Sequence, residues 1–259
     1  MEIIKTQQVT EAKSTFSIVI PVSNNREQVI HRCLRSLINQ TYPRELFEVL
    51  IVIDGNRDGT QWAMETTIKK YSEKFSFIKF VGVHKNRLER FITRNEGIKA
   101  AQNEWICHLD SDDAYLESYL DRMDWAIQTF SEYSMFNFGA IVCREGGHSI
   151  REPIELIRDM DFEAHKGRIG MGSFIYKREL HNEIGYFPEV CDPYSFADAA
   201  NIPGYGRATK TLGNPSGDDQ WLIHKLLKVV NSKKLDFVPY INYIRRSYNS
   251  PFYPGLEDL

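Results

Sequence analysis

The sequence lacks the features that mark disulfide-rich, secreted and membrane-spanning proteins. Its four cysteines are far apart and form no CxxC pair, so neither a disulfide scaffold nor a cysteine metal site is expected. Residues 1–15 contain no apolar core of signal-peptide length, and no stretch approaches the roughly 20 apolar residues that span a bilayer. These absences predict a cytoplasmic protein with reduced thiols.

An excess of one charge is also missing. The 32 Lys and Arg residues and 35 Asp and Glu residues give a formal net charge of −3, without a long run of like charge. No nucleic-acid partner is therefore expected. The sequence also lacks the GxGxxG loop of dehydrogenases, the GxxxxGKS/T loop of P-loop enzymes and the HExxH motif of zinc enzymes.

What is present is an alternation of short apolar runs with longer stretches of helical period. This pattern is typical of an α/β protein with a Rossmann-like, mostly parallel central sheet. Strands are predicted at 16–22, 47–53, 77–83 and 104–109, and helices at 29–38, 60–70, 88–101 and 116–130.

From about residue 134 the pattern changes to a smaller antiparallel addition. Strands are predicted at 134–143, 170–176 and 235–244, with a hairpin turn at Gly146 and Gly147. A short helix at 177–184 is expected to end at Gly185, and another helix is predicted at 220–230. Residues 192–216 show no clear period, and we expect this long loop to close over a bound ligand.

Polar residues follow several of the predicted strands. Ser23 and Asn24 follow the first strand, Asp54 follows the second, and Asp110 and Asp112 follow the fourth. Because ligands bind at the carboxyl ends of strands in open α/β sheets, we expect these residues to converge at one site.

The segment Asp110-Ser111-Asp112 predicts a divalent-cation site, because paired carboxylates suit Mg²⁺ or Mn²⁺. The alternative is that these aspartates cap the following helix in solvent. Asp113 is the residue predicted to cap the helix that begins near Leu116. His108, beside the aspartates, is predicted to be a packing or surface residue rather than a ligand.

Two further segments carry residues suited to chemistry. Arg94 precedes the Asp110 strand, where a fixed cation can pair with a phosphate or with Asp110; an exposed helix arginine is the alternative. Asp218 and Asp219 open a helix, so that one can cap the helix while the other acts as a general base.

Taken together, these segments resemble glycosyltransferase family 2, the inverting enzymes of the GT-A fold, from about residue 16 to residue 250. The matching stretches are FSIVIPVSNN, CLRSLINQTYP, FEVLIVIDGNRDGT, TRNEGIKAAQNEWICHLDSDD, GMGSFIYKRELHNEIGYFPE and GDDQW. The resemblance implies a single catalytic domain over 1–259, with short tails at 1–15 and 251–259. Residues 16–133 would form the nucleotide-sugar-binding half, and residues 134–250 the half that holds the acceptor and the catalytic base.

The resemblance also implies roles for individual residues. Asp219 matches the catalytic base, Asp218 replaces the usual glutamate before it, and Asp112 with Asp110 would hold the metal. The residues implied to bind the nucleotide sugar are Pro21, Ser23, Asn24, Asp54, Arg94, Asp110, Ser111, Arg245 and Arg246. This chain departs from the family pattern in three places. The loop after the second strand is one residue short, so either Asp54 or Asp58 would read the base. Ser23 stands where a tyrosine is often found, and Arg245 and Arg246 lie where relatives often carry a histidine.

The implied activity is Mn²⁺- or Mg²⁺-dependent, inverting sugar transfer from a nucleotide sugar, UDP being expected, to an acceptor hydroxyl. A glycan or glycolipid acceptor in polysaccharide or glycoconjugate synthesis is implied, with peripheral contact at the inner membrane face. One alternative is a nucleotidyltransferase, although residues 23–26 lack its Gly- and Lys/Arg-rich signature. The other is an inactive nucleotide- or sugar-binding module, which the short loop after Asp54 would suit.

Overall fold

The computed structural model describes residues 13–22, 27–54, 61–83, 90–144, 147–160, 169–187 and 218–243. These residues build a nine-stranded mixed sheet in the order β3-β2-β1-β4-β8-β6-β9-β5, with β7 paired to β6. The strands are β1 (Phe16–Val22), β2 (Phe47–Ile53), β3 (Ile78–Val83), β4 (Trp105–His108), β5 (Ala114–Tyr115), β6 (Met135–Arg144), β7 (Gly147–Arg151), β8 (Phe174–Lys177) and β9 (Lys233–Tyr243).

Helices cover both faces of this sheet. They are α1 (Glu27–Ile38), α2 (Gln61–Lys74), α3 (Arg90–Ala100), α4 (Tyr119–Thr129), α5 (His181–Ile184) and α6 (Asp218–Val229). Short 3₁₀ turns lie at Arg44–Leu46, Met171–Ser173 and Arg178–Leu180. Within the described part of the chain, no helix combines the length and the apolarity needed to cross a bilayer.

The parallel half of the sheet comprises β3, β2, β1 and β4. Every residue of β1 and β2 is buried, which explains why these strands are continuous apolar runs rather than alternating ones. Side chains from α1, α2 and α4 pack on one face, and side chains from α3 and α6 pack on the other. The described helices thus pack on the two faces of the sheet, and we call the carboxyl ends of the parallel strands the open edge.

The second half of the sheet is mixed. β8 is antiparallel to both β4 and β6, whereas β6 and β9 are parallel to each other. The hairpin of β6 and β7 spans the predicted turn, with Arg144 opposite Gly147. The predicted α/β fold with a parallel core and an antiparallel addition is confirmed.

Several predicted boundaries were wrong. The helix predicted from Leu116 begins at Tyr119, because Ala114 and Tyr115 instead form β5 against β9. The strand predicted from residue 170 begins at Phe174, since Met171–Ser173 forms a 3₁₀ turn. The helix predicted at 177–184 is a 3₁₀ turn followed by the four-residue α5, which ends as expected at Gly185 with φ 72°. The predicted closing loop at 192–216 lies outside the described residues.

Candidate active site

The ends of three parallel strands meet at one edge of the sheet. The Asp54 amide donates to the Val22 carbonyl at 2.8 Å, and the Leu109 amide donates to the Val19 carbonyl at 3.1 Å. These bonds place the residues that follow β2 and β4 on either side of β1. Asp54 and Asp110 therefore share the edge at which ligands bind in open α/β sheets.

The loop that follows β4, residues 110–113, gathers three carboxylates, and we call it the aspartate loop. One oxygen atom from each of Asp110, Asp112 and Asp113 lies within 4.8 Å of the others. Like charges at this separation repel, so the arrangement requires bound cations or hydrogen-bond donors around it. Carboxylate oxygens are the ligands that Mg²⁺ and Mn²⁺ prefer, so the donor set fits such an ion.

Arg94 supplies one fixed positive charge at this loop. Its side chain is 1% exposed, and its Nη2 lies 2.7 Å from Oδ1 of Asp110, whose side chain is 31% exposed. This short, charge-assisted hydrogen bond is the pairing with Asp110 that the sequence suggested. The alternative of an exposed helix arginine is wrong, because α3 packs Arg94 into the protein.

The backbone of the same loop is tied to α1 and to itself. Arg32 donates from Nη2 to the Asp112 carbonyl at 2.8 Å, and the Cys33 thiol lies 3.7 Å from the Asp110 carbonyl. The Asp113 amide donates to the Asp110 carbonyl at 2.9 Å and closes a tight turn. The side chains of this loop thus project from a backbone that several groups hold in place.

The prediction that Asp113 caps a helix was wrong. Asp113 is buried and accepts hydrogen bonds from the Tyr240 hydroxyl and from Asn242 Nδ2, the latter at 3.0 Å. The residue at the N-terminal cap of α4 is Ser118. Because 127 and 129 residues separate Asp113 from its two partners, no local sequence signal reveals this network.

His108 belongs to a buried chain of hydrogen bonds and, as predicted, is a packing residue. His181 Nδ1 lies 2.7 Å from the Gly185 carbonyl, which can only accept, so His181 Nε2 accepts from Tyr176. The Tyr176 oxygen, 3.0 Å from His108 Nε2, then accepts from the His108 ring. Burial, followed by the nearby Arg94 and His181, holds the pKa of His108 well below its usual value, so this ring stays neutral.

The helix that carries the predicted base is anchored next to Arg94. α6 begins at Asp218, and the Trp221 ring packs 4.9 Å from the Phe187 ring. The side-chain amide of Asn95 makes two hydrogen bonds to the Phe187 backbone, at 2.7 and 3.0 Å. Consecutive residues of α3 therefore contact the aspartate loop and the segment that supports α6.

The structure describes only some of the residues predicted to form the site. Pro21 is buried in β1, opposite Val52, and Ser111 is buried in the aspartate loop. The α6 backbone includes Asp218 and Asp219, whose side chains lie outside the described residues. Also outside are Ser23, Asn24, Asp58, Arg245 and Arg246.

Comparison with known proteins gives one family match and several relatives. The family model described as "Glycosyl transferase family 2" matches residues 17–185. The chain is similar to the poly(ribitol-phosphate) beta-glucosyltransferase of Bacillus spizizenii, with 37% identity over 98 residues. That match covers 38% of this chain and 15% of the relative, so the chain corresponds to only a small part of that protein.

Solved structures share the fold over most of the chain. S. aureus TarS 1-349 in complex with UDP-GlcNAc has a TM-score of 0.64 and 21% identity, covering 92% of this chain and 62% of that one. The mannosyltransferase PcManGT from Pyrobaculum calidifontis in complex with GDP-Man and Mn²⁺ has a TM-score of 0.57 and 15% identity, covering 92% and 59%. At these identities the likeness establishes the fold.

Proposed function

Because the chain belongs to glycosyl transferase family 2, we propose that it transfers a sugar from a nucleoside diphosphate sugar to an acceptor hydroxyl. The observation that carries the proposal is the aspartate loop itself. Asp110 and Asp112 lie together at the open edge of the parallel half of the sheet, beside the buried Arg94. An edge of this kind, with carboxylates for a cation and a fixed guanidinium, suits a nucleoside diphosphate.

In this proposal the first half of the chain, 16–133, binds the donor. Asp54, 4% exposed at the end of β2, would contact the base or ribose, and Pro21, Ser23 and Asn24 would line the nucleotide site. UDP is the proposed nucleotide, supported by the similarity to TarS, which has been solved with UDP-GlcNAc. Arg94 orients Asp110 toward the donor through their 2.7 Å contact.

Asp110 and Asp112 would hold Mn²⁺ or Mg²⁺. When bound, such an ion supplies positive charge that stabilises the leaving diphosphate. The described residues fit this role, because carboxylate oxygens of the loop approach within 4.8 Å of one another. Arg245 and Arg246 are proposed to add positive charge at the same diphosphate.

The second half, 134–250, would hold the acceptor and the base. The Asp219 carboxylate takes the proton of the acceptor hydroxyl while the oxygen of that hydroxyl forms a bond to the anomeric carbon. The bond from that carbon to the diphosphate oxygen breaks, and the configuration inverts. Asp218 would lie in the first turn of α6, which begins at this residue, and its negative charge there would favour the helix dipole.

We propose a glycan or polyol polymer as the acceptor. The support is similarity to an enzyme named for poly(ribitol-phosphate), a polymer with many hydroxyl groups. A cytoplasmic reaction, with contact at the inner membrane face, stays a prediction. The three cysteines that the structure describes are buried and form no disulfide, which is compatible with reduced thiols.

Turnover tests the proposal directly. Purified protein is incubated with UDP-sugars, Mn²⁺ and a polyol-phosphate or glycan acceptor, and the release of UDP and glycosylated product is measured. We expect Asp219→Asn to lower kcat by about 10²-fold or more while the donor KM changes little, because a positioned general base contributes on that scale.

The matched control is Asp218→Asn, which alters the neighbouring carboxylate of the same helix turn. If Asp218→Asn is the inactive variant and Asp219→Asn turns over normally, the two roles are exchanged. If wild-type protein binds the nucleotide but consumes no donor sugar with any acceptor, the chain is a binding module and the proposed activity fails.

A further inference from the structure

The three clustered carboxylates of the aspartate loop have different surroundings. The side chains of Asp110 and Asp112 are partly exposed at the open edge, whereas Asp113 is 1% exposed. The distances alone would allow all three to hold one ion. The partners of Asp113 distinguish its role from that of the other two.

Both partners of Asp113 lie on β9 and donate hydrogen bonds to it. The Tyr240 hydroxyl donates to Oδ2, and Asn242 Nδ2 lies 3.0 Å from Oδ2 and 3.3 Å from Oδ1. Burial and the neighbouring Asp113 raise the pKa of Tyr240 well above its usual value, so its hydroxyl keeps its proton. Both oxygens of the Asp113 carboxylate are therefore engaged by donors from one strand.

The space for this contact is provided by two other segments. A Cβ at Gly172 would lie 2.5 Å from the Tyr240 ring and 2.9 Å from its hydroxyl, so only glycine lets the ring lie here. On another side, the Tyr115 ring meets the Tyr240 ring edge-on at 6.1 Å, where β5 pairs with β9. The 3₁₀ turn, β5 and β9 thus all accommodate one buried tyrosine.

We propose that Asp113 is a positioning residue, anchored to β9 by Tyr240 and Asn242, and that it leaves the metal and the diphosphate to Asp110 and Asp112. The anchor acts through the backbone: Asp113 directly follows Asp112, and its amide closes the turn onto the Asp110 carbonyl at 2.9 Å. Arg32 holds the same turn from α1, at the Asp112 carbonyl. The inference rests on the proposed function, because it concerns the site of that reaction.

The test measures Mn²⁺ binding by calorimetry in the presence of UDP, so it does not depend on turnover. We expect Tyr240→Phe, which removes one donor and keeps the ring, to raise the Kd of Mn²⁺ by about 10-fold, as loss of a group that orients a ligand typically does. Gly172→Ala should weaken Mn²⁺ binding similarly by displacing the ring. Asp113→Asn should raise the Kd of Mn²⁺ by a similar factor, which is much smaller than the increase caused by Asp112→Asn.

The matched control is Tyr42→Phe. Tyr42 is buried and donates from its hydroxyl to the Ser14 carbonyl at 2.7 Å, away from the aspartate loop. The Tyr42→Phe variant should leave the Kd of Mn²⁺ unchanged, even if it lowers the melting temperature as much as Tyr240→Phe does. An unchanged Kd in Tyr240→Phe, or an Asp113→Asn loss as large as that of Asp112→Asn, would overturn the inference. If wild-type protein shows no UDP-dependent Mn²⁺ binding, the metal-dependent donor site fails and the inference fails with it.

Discussion

His181 stays neutral in the folded protein at pH values where a free histidine gains a proton. Burial lowers its pKa, partly offset by its hydrogen bond to the Gly185 carbonyl. As the pH falls below about 6.5, the unfolded chain takes up a proton at this residue before the folded protein does. This contribution to stability is therefore present above pH 6.5 and is lost on acidification, by up to about 1.4 kcal/mol per pH unit.

Urea unfolding at pH 7.5, 6.5 and 5.5 measures that dependence. His181→Gln keeps a side chain that can accept from Tyr176 but cannot titrate, so its stability should fall less steeply with acidification than that of wild type. Ser149→Ala, at an exposed position of β7, is the control: it changes no titratable group and should follow the wild-type slope. Parallel curves for wild type and His181→Gln would show that the folded protein protonates this ring as readily as the unfolded chain does.

Among the elements, α3 joins the two halves of the proposed site. Arg94 contacts the aspartate loop, and Asn95 fixes the backbone of Phe187, whose ring packs on Trp221 of α6. Asn95→Ala should therefore let the helix bearing Asp219 shift, lowering kcat by about 10-fold because small misplacements of a reacting group are costly. The donor KM and the Kd of UDP should stay within about twofold, since Arg94 is untouched.

Asn137 offers a control of the same kind. It is also buried, with hydrogen bonds of 2.8 Å to the Ile154 carbonyl and from the Ser232 hydroxyl, near the start of β6. Asn137→Ala should cost a similar free energy of unfolding, about 1–3 kcal/mol, and leave kcat unchanged. Equal kcat values in the two variants would mean that α3 does not position α6 for the reaction.

Local sequence pattern predicts some of these elements well and others poorly, for a physical reason. The buried parallel strands β1 and β2 are continuous apolar runs, and strands of this type place the following Asp54 at a predictable edge. The two-residue β5 and the burial of Asp113 depend instead on β9, more than 120 residues later, as the 127-residue separation of Asp113 and Tyr240 shows. The prediction that Asp113 caps a helix rested on a local preference, and it was wrong because hydrogen bonds to distant residues determine the position of this side chain.

For the whole molecule, the proposed donor should stabilise the fold, because its site draws on β1, β2, β4 and α3 together. A ligand that binds only the folded state at 100 times its Kd adds about 2.7 kcal/mol to the free energy of unfolding. For a protein of this size that corresponds to a rise in melting temperature of about 2–4 °C per kcal/mol. We expect UDP with Mn²⁺ to produce this rise, and UDP alone to produce a smaller one.

Thermal unfolding with UDP, dTDP, GDP and CDP, each with and without Mn²⁺, separates the nucleotide from the metal. Asp112→Ala should abolish the metal-dependent part of the shift, while Asp236→Ala, at a carboxylate 83% exposed on β9, should retain it. A larger shift with GDP than with UDP would reassign the donor without changing the site. No shift with any of the four nucleotides would count against a donor site at this edge of the sheet, because stabilisation by mass action requires only that the folded protein bind.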